Sequence, residues 1–311
     1  MKAVTIRTYG PIADVVTLSD VPAPTVGPHD VLIEARAAGV NPIDHLIVKG
    51  FMQPEGLAHT RVLGNEVAGV VAATGDAVTG FAVGDEVFAR VDPQVGAAFA
   101  ELVAVDESLV AAKPATLSFA EAASLPLVAL TAWQALTEQS RLVAGQRVLI
   151  HGGAGGVGAA AIQIAKHLGA EVVTTVSTDS TESARALGAD QVVDYRNEKF
   201  DEVVAPVDVV LDTVGGETQD RSFPLLKPGG TLVSIVFIPD AEAKKATWGV
   251  QANAFLMRPD GAQLTRIAEL VASGELRPVV QTVLPLDRAA DALTQVERGR
   301  ARGRTVLSIP S

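Results

Sequence analysis

The clearest pattern of apolar and polar positions lies in the middle of the chain. Arg147-Val148-Leu149-Ile150-His151 is a short apolar run of the kind that forms a buried strand. Glycines follow, and Ala159 to Leu168 then carries helical periodicity, closed by Gly169. The alternation continues, with strands expected at 171–177, 191–194, 207–212 and 230–236 and helices between them. Leu226-Lys227-Pro228-Gly229-Gly230 reads as the end of a helix before the last of these strands. Strand–helix alternation of this kind predicts a parallel, doubly wound sheet, an α/β architecture.

Residues 1 to about 120 have a different texture. Val31 to Ala37 alternates at period two, as a half-buried strand does, and 67–73 and 86–89 read similarly, with a turn at 80–85 between them. Helix signals are weak here, so a mostly β domain is expected. Ser118 with Glu121 three residues on is a capping box that opens a helix, and a second helix, Leu127 to about Gln139, follows Pro126. The tail predicts a helix at 260–273, a strand at 279–284, a helix at 287–297 and a strand at 304–308. The pattern leaves open whether the tail extends the parallel sheet or returns to the first domain.

The glycines carry the first chemistry. Gly153, Gly155 and Gly158 fit G-x-G-x-x-G between a strand and a helix. In that setting a pyrophosphate sits on the free N–H groups of the helix N-terminus. The turn Gly153, Ala154, Gly155, Gly156 and Val157 is therefore a candidate dinucleotide cradle. An NAD site usually places Asp or Glu at the end of the next strand, to bind the ribose 2′-hydroxyl. Here that strand ends in Ser177 and Thr178, small hydroxyls that leave room for a 2′-phosphate and favour NADPH; Arg196 is a nearby cation. Asp179 either points inward, where it would repel a phosphate, or caps the next helix or lies in solvent. Val214, Gly215, Val236 and Phe237 follow strands at their C-terminal ends, where cofactor belongs in such sheets, although Phe237 would serve equally as core.

Composition narrows the remaining classes. The chain has 311 residues, 48% hydrophobic and 20% charged, enough for one large or two medium domains. A net charge of −11 argues against nucleic-acid and anionic-membrane surfaces. There is no cysteine, which removes disulfides, thiolate nucleophiles and cysteine–zinc sites together. No signal-peptide core or membrane-length apolar run is present, so a soluble cytoplasmic protein is expected. The histidines at 29, 45, 59, 151 and 167 have no helical or turn ligand spacing. Tyr195 to Lys199 spells Y-x-x-x-K, but it follows a strand just past the glycine turn and is rejected as a catalytic pair.

Six blocks in order now carry a resemblance. They are Ala38-Gly39-Val40-Asn41-Pro42-Ile43-Asp44, Leu63 to Val71, Leu130-Thr131-Ala132-Trp133, His151 to Gly158, Leu187-Gly188-Ala189-Asp190, and Arg302-Gly303-Arg304-Thr305-Val306-Leu307. On these the chain resembles the medium-chain dehydrogenase/reductase superfamily, and within it the zinc-free quinone oxidoreductase (zeta-crystallin-like) group. The resemblance implies a GroES-like, mostly β catalytic domain (1–122 and 258–311) and a Rossmann NADP-binding domain (123–257). It also implies a cleft between the domains and usually a homodimer built through the edge of the cofactor sheet. Zinc-dependent members carry a cysteine near the Asn41 block and a histidine in a G-H-E triplet. Here the triplet is Gly64-Asn65-Glu66, so no zinc is expected, although His45 and His59 could meet Glu66 in space.

The resemblance also places Ser177 and Tyr195 at adenosine-phosphate contacts, and Asn41, Asp44 and Thr131 at the nicotinamide end. The Asn41 amide could donate to a substrate carbonyl, bind the carboxamide, or only stabilise a turn. Asp44 would orient its neighbours or be a solvated loop residue. Leu46 and Phe51 stand where relatives often carry aromatics. Neither Tyr9 nor Tyr195 is an obvious proton donor, which leaves solvent as the source. The expected activity is hydride transfer from NADPH to a quinone or similar acceptor. Alternatives are reduction of the C=C bond of α,β-unsaturated ketones or enoyl thioesters, and a non-catalytic NADPH-binding sensor. A thioester site would want a basic lane that the first domain lacks.

Overall fold

The computed structural model describes residues 1–53, 60–299 and 303–310; His59 and Arg302 lie outside them. The chain forms two compact units. One comprises Met1–Leu130, Pro259–Gly274 and Pro278–Ser311, and the other Thr131–Arg258 with Glu275–Arg277.

The first unit is built on the strand Asp30–Val40. Val31, Ile33, Ala35 and Ala37 are buried while Leu32, Glu34 and Arg36 are only half-buried, the alternation its sequence predicts. It pairs antiparallel with Glu66–Thr74, Leu102–Asp106 and Arg304–Ser308. The tail question is thereby answered: the last strand lies against the first unit's central strand, with Val306 opposite Gly39. Val280–Pro285 adds in parallel outside it. A smaller antiparallel sheet joins Lys2–Ile6 to Thr17–Asp20 and Arg61–Val62. One helix, Pro42–Val48, stands where a loop is expected, and it positions Asn41 and Asp44.

The second unit is a six-stranded parallel sheet. Its spatial order is Gln191–Asp194, Glu171–Val176, Arg147–His151, Val207–Asp212, Leu226–Ser234 and Gln251–Ala254. In chain order this is 3-2-1-4-5-6, the doubly wound order in which ligands bind beyond the carboxyl ends of the strands. Two details differ from the pattern reading. The fifth strand begins at Leu226, because the helix Gly216–Ser222 ends earlier and a 3₁₀ turn, Phe223–Leu225, follows it. A register shift between Val207 and Val209 absorbs Lys227 to Gly230. The sixth strand, Gln-Ala-Asn-Ala, has no β-branched residue and gave no periodic signal.

Candidate cofactor and catalytic sites

The glycine turn is shaped by contacts that side chains would block. Gly152 has φ +70°, and a Cβ on Gly153 would lie 2.1 Å from Thr174 Oγ1. A Cβ on Gly158 would lie 2.3 Å from the Gly152 carbonyl, so this third glycine is what lets helix and turn close together. Gly155 differs. A Cβ there would sit 3.3 Å from the Gly152 oxygen, a contact that a small shift relieves. Packing asks little of Gly155, yet it is the N-cap of the helix Gly156–His167 and makes no side-chain cap. The leading N–H groups of a twelve-residue helix are thus offered beside a bare position, which fits a pyrophosphate.

Around that turn, polar side chains tie the carboxyl ends of the strands together. His151 is fully buried; Nδ1 lies 3.0 Å from Thr175 Oγ1 and Nε2 2.8 Å from Ser222 Oγ. Ser222 donates its own proton to the Thr218 carbonyl at 2.7 Å. It therefore accepts from His151, which fixes the Nε2–H tautomer and leaves Nδ1 to accept from Thr175. Burial holds the imidazole pKa down at about 4, with Asp212 opposing. Asp212 accepts from Val214 N and Gly215 N at 2.9 Å, from Gln219 Nε2 at 2.8 Å and from Ser234 Oγ at 2.7 Å. One carboxylate thereby shapes the loop that carries Val214 and Gly215. Its signal in the sequence is an acid closing the apolar run Val209-Val210-Leu211.

At the neighbouring edge, Val176 stands opposite Asp194, so Ser177 and Tyr195 leave the sheet side by side. Thr178 opens a 3₁₀ turn, and Asn197 Nδ2 reaches both Thr178 Oγ1, at 3.4 Å, and Asp194, at 2.7 Å. Tyr195, Val214 and Phe237 are exposed, Phe237 at 79%, so Phe237 is not core. Val236 is half-buried beside Gly215. The expected cofactor residues of the second unit thus all lie at one end of its sheet.

In the first unit, Asn41 and Asp44 meet in a buried polar cluster. Asn41 stands at the N-cap of its helix without a side-chain cap bond, and Asn41 N donates to Asp44 Oδ2 at 2.7 Å. Asn65 Nδ2 donates to Asp44 Oδ1 at 2.5 Å. Asp44 is fully buried rather than solvated, and burial raises its pKa to about 7 against those hydrogen bonds and the positive Arg90. Asn41 Nδ2 donates to Glu66 Oε1 at 2.7 Å and leans on the Gly39 carbonyl at 3.4 Å. Both amide hydrogens are therefore engaged within the protein. What Asn41 has to offer is Oδ1, buried without a hydrogen-bond partner, an acceptor and not a donor to a substrate carbonyl. Glu66 also accepts from Leu127 N at 2.7 Å and pairs with Arg304, whose Nε reaches the Ser124 carbonyl at 3.0 Å. A Cβ on Gly39 would lie 2.1 Å from Glu66 Oε1, so a glycine there gives the carboxylate its place. Sequence reasoning named Glu66 only as a metal neighbour and left Arg304 without a role. Thr131 is buried on the helix Pro126–Gln134, at the start of the second unit.

Comparison with known proteins agrees with this layout. Residues 27–115 match the family described as alcohol dehydrogenase GroES-like domain, and residues 187–307 the family described as zinc-binding dehydrogenase. The human protein "NAD(P)H oxidoreductase RTN4IP1, mitochondrial" is 36% identical over 91% of this chain and 82% of its own length. The chain belongs to the medium-chain dehydrogenase/reductase superfamily. A second relative in it, the Arabidopsis thaliana "NADPH-dependent alkenal/one oxidoreductase, chloroplastic", is 34% identical over 99% of this chain and 79% of its own length. The solved structure of the quinone oxidoreductase from Coxiella burnetii superposes with a TM-score of 0.92 at 34% identity, covering 100% of this chain and 99% of that one.

As a superfamily member the protein is an NAD(P)H-dependent oxidoreductase. The zinc in one family description finds little to bind in the segment that matches it, since 187–307 holds neither cysteine nor histidine. Among the described residues, no group of three His, Cys, Asp or Glu side chains is placed to hold a metal ion.

Proposed function

We propose that the protein is a zinc-independent, NADPH-dependent reductase of quinones. The observation that carries this reading is the state of Asn65, which stands in the triplet where the superfamily's zinc enzymes carry histidine, and of Asn41, in the block near which they carry a cysteine. Each donates its amide N–H to a carboxylate, Asn41 to Glu66 and Asn65 to Asp44. Hydrogen bonds thus engage the carboxylates of Glu66 and Asp44, and the amide oxygens of Asn41 and Asn65 are poor zinc ligands beside thiolate and imidazole. Alcohol oxidation then lacks the Lewis acid that stabilises an alkoxide, whereas an electron-poor acceptor needs none.

Bound NADPH would supply the hydride. The Gly155 turn and the first N–H groups of the helix Gly156–His167 would hold the pyrophosphate. Ser177, Thr178 and Arg196 would favour a 2′-phosphate, and Asp212 fixes the Val214–Gly215 loop that would line the cofactor. The quinol oxygen takes its proton from solvent, which suits the chemistry because the reduced oxygen is itself basic.

The alkenal/one relative favours a second reading, reduction of the C=C bond of an enone by the same hydride. Parallel assays of NADPH oxidation against quinones and enones separate the two. Turnover with quinones is expected; turnover confined to enones would transfer the proposal to the second reading. Metal-free protein should retain full activity, and chelator-sensitive activity with stoichiometric zinc would refute the zinc-independent mechanism.

A further inference from the structure

Beyond the fourth and fifth strands of the parallel sheet, one buried amide joins two loops. Gln219 lies on the helix Gly216–Ser222 and is fully buried. Its Nε2 donates to Asp212 Oδ2 at 2.8 Å and reaches Ser234 Oγ and the Phe237 carbonyl, each at 3.3 Å. Asp212 ends the fourth strand and Ser234 the fifth. An amide nitrogen has two hydrogens, so Asp212 takes one and the two longer contacts share the other. Asp212 also fixes which way the amide faces. It accepts from Val214 N, Gly215 N and Ser234 Oγ as well, and a reversed Gln219 would set oxygen against oxygen. The amide oxygen Oε1 is left buried without a hydrogen-bond partner.

An orphaned acceptor costs stability, and an apolar side chain of the same length would avoid it. What the glutamine supplies in return is a link from Asp212 to Phe237. Ser234 and Ile238 are buried, whereas the Phe237 side chain between them is exposed. The chain thus arches outward between two buried feet, and Gln219 holds its crown. Val236, on the same arch, closes on the neighbouring loop: a Cβ on Gly215 would lie 2.9 Å from Val236 Cγ2. With pyrophosphate on the Gly155 turn after the first strand and the 2′-phosphate by Ser177 after the second, the nicotinamide half would extend the other way, over the fourth and fifth. We infer that Gln219 is a positioning residue for hydride transfer: it ties the Phe237 peptide to the Asp212 loop, so that the two loops form one fixed bed for the nicotinamide. The inference rests on the cofactor reading above and adds to it a residue that acts through its neighbours.

Binding and turnover separate this role from a merely structural one. Gln219→Met keeps the length and removes the donor. It should bind 2′,5′-ADP as wild type does and NADPH about tenfold more weakly. At saturating NADPH, kcat with the acceptor that wild type reduces should fall about tenfold or more, because a displaced nicotinamide loses its alignment. Equal weakening of both nucleotides, or an unchanged kcat at saturation, overturns the inference. Wild type gives an independent reading should the variant fail to fold. NADPH should slow amide hydrogen exchange at Val236, Phe237 and Ile238, and 2′,5′-ADP should not. Protection by neither, or the same protection by both, overturns it. A wild-type protein that binds neither nucleotide refutes the cofactor reading. One that binds both, with Gln219→Met unaffected, refutes only the positioning role.

Discussion

Asp44 and His151 act on stability in opposite directions as pH changes. Asp44 titrates at about 7 in the fold against 3.8 for an ordinary aspartate, so between those values the unfolded chain has lost a proton that the native state keeps. Stability from this group is full below about 4 and falls as pH rises toward 7, by on the order of 4 kcal/mol. His151 titrates at about 4 against 6.5, so the unfolded chain gains a proton that the native state refuses. Stability from this group is full above 6.5 and falls as pH drops toward 4, by on the order of 3 kcal/mol. Between pH 4 and 6.5 the two slopes largely offset each other. Urea midpoints across that range should therefore rise with pH in Asp44→Asn and fall with pH in His151→Gln. Parallel profiles in wild type and both variants would show that neither group is perturbed as described. Neither shift was legible locally, because burial and partners set both. Asp44 is held by Asn65, 21 residues away in sequence, and His151 by Ser222, 71 residues away.

Elements were legible where their signal is local and periodic. The strand Arg147–His151, its glycine turn and the following helix are contiguous and follow the 2.0 and 3.6 periods, so one window of sequence contains them. The helix Pro42–Val48 has only seven residues, too few for periodicity to speak, although Asn41 followed by Pro42 and Asp44 is a capping signal at its start. Missing that helix hid the orientation of Asn41, whose free atom proved to be the oxygen because Glu66 lies on another strand. At the glycine turn, elements and binding can be tested apart. Gly158→Ala drives a methyl to 2.3 Å from the Gly152 carbonyl and should lower the melting temperature by several degrees, for a loss of about 1–3 kcal/mol. Gly155→Ala meets only a 3.3 Å contact and should leave melting nearly unchanged while weakening NADPH by tenfold or more, because the methyl takes the place of the pyrophosphate. Calorimetry and fluorescence titration read the two effects separately. Equal melting losses in both variants would mean that Gly155 serves packing and not ligand.

At the scale of the whole molecule, the chain closes its first unit with its own tail. Arg304–Ser308 is the second-last strand of the large sheet and lies between Val280–Pro285 and the central Asp30–Val40. Pattern alone left this placement open, because a strand's period reports which face it buries and not which neighbour it joins. The ordering force includes a charge. Arg304 is 6% exposed and joins Glu66, 238 residues earlier in sequence, while its Nε holds the Ser124 carbonyl. Glu66 in turn holds Asn41 and Leu127 N, so a residue near the end of the chain supports the candidate catalytic asparagine. Removing one partner of a buried ion pair leaves the other charge uncompensated, which costs about 3–5 kcal/mol. Arg304→Ala should therefore lose that amount in denaturant unfolding. Arg304→Lys should recover part of it, since it restores the charge without the planar fork that serves Glu66 and Ser124 together. Replacing both ends, as in Glu66→Gln with Arg304→Met, should cost less than the sum of the single changes, because no lone charge remains buried. Additive losses in that cycle would mean that the tail strand is held by its backbone ladder and apolar face, with the Glu66–Arg304 pair contributing nothing of its own.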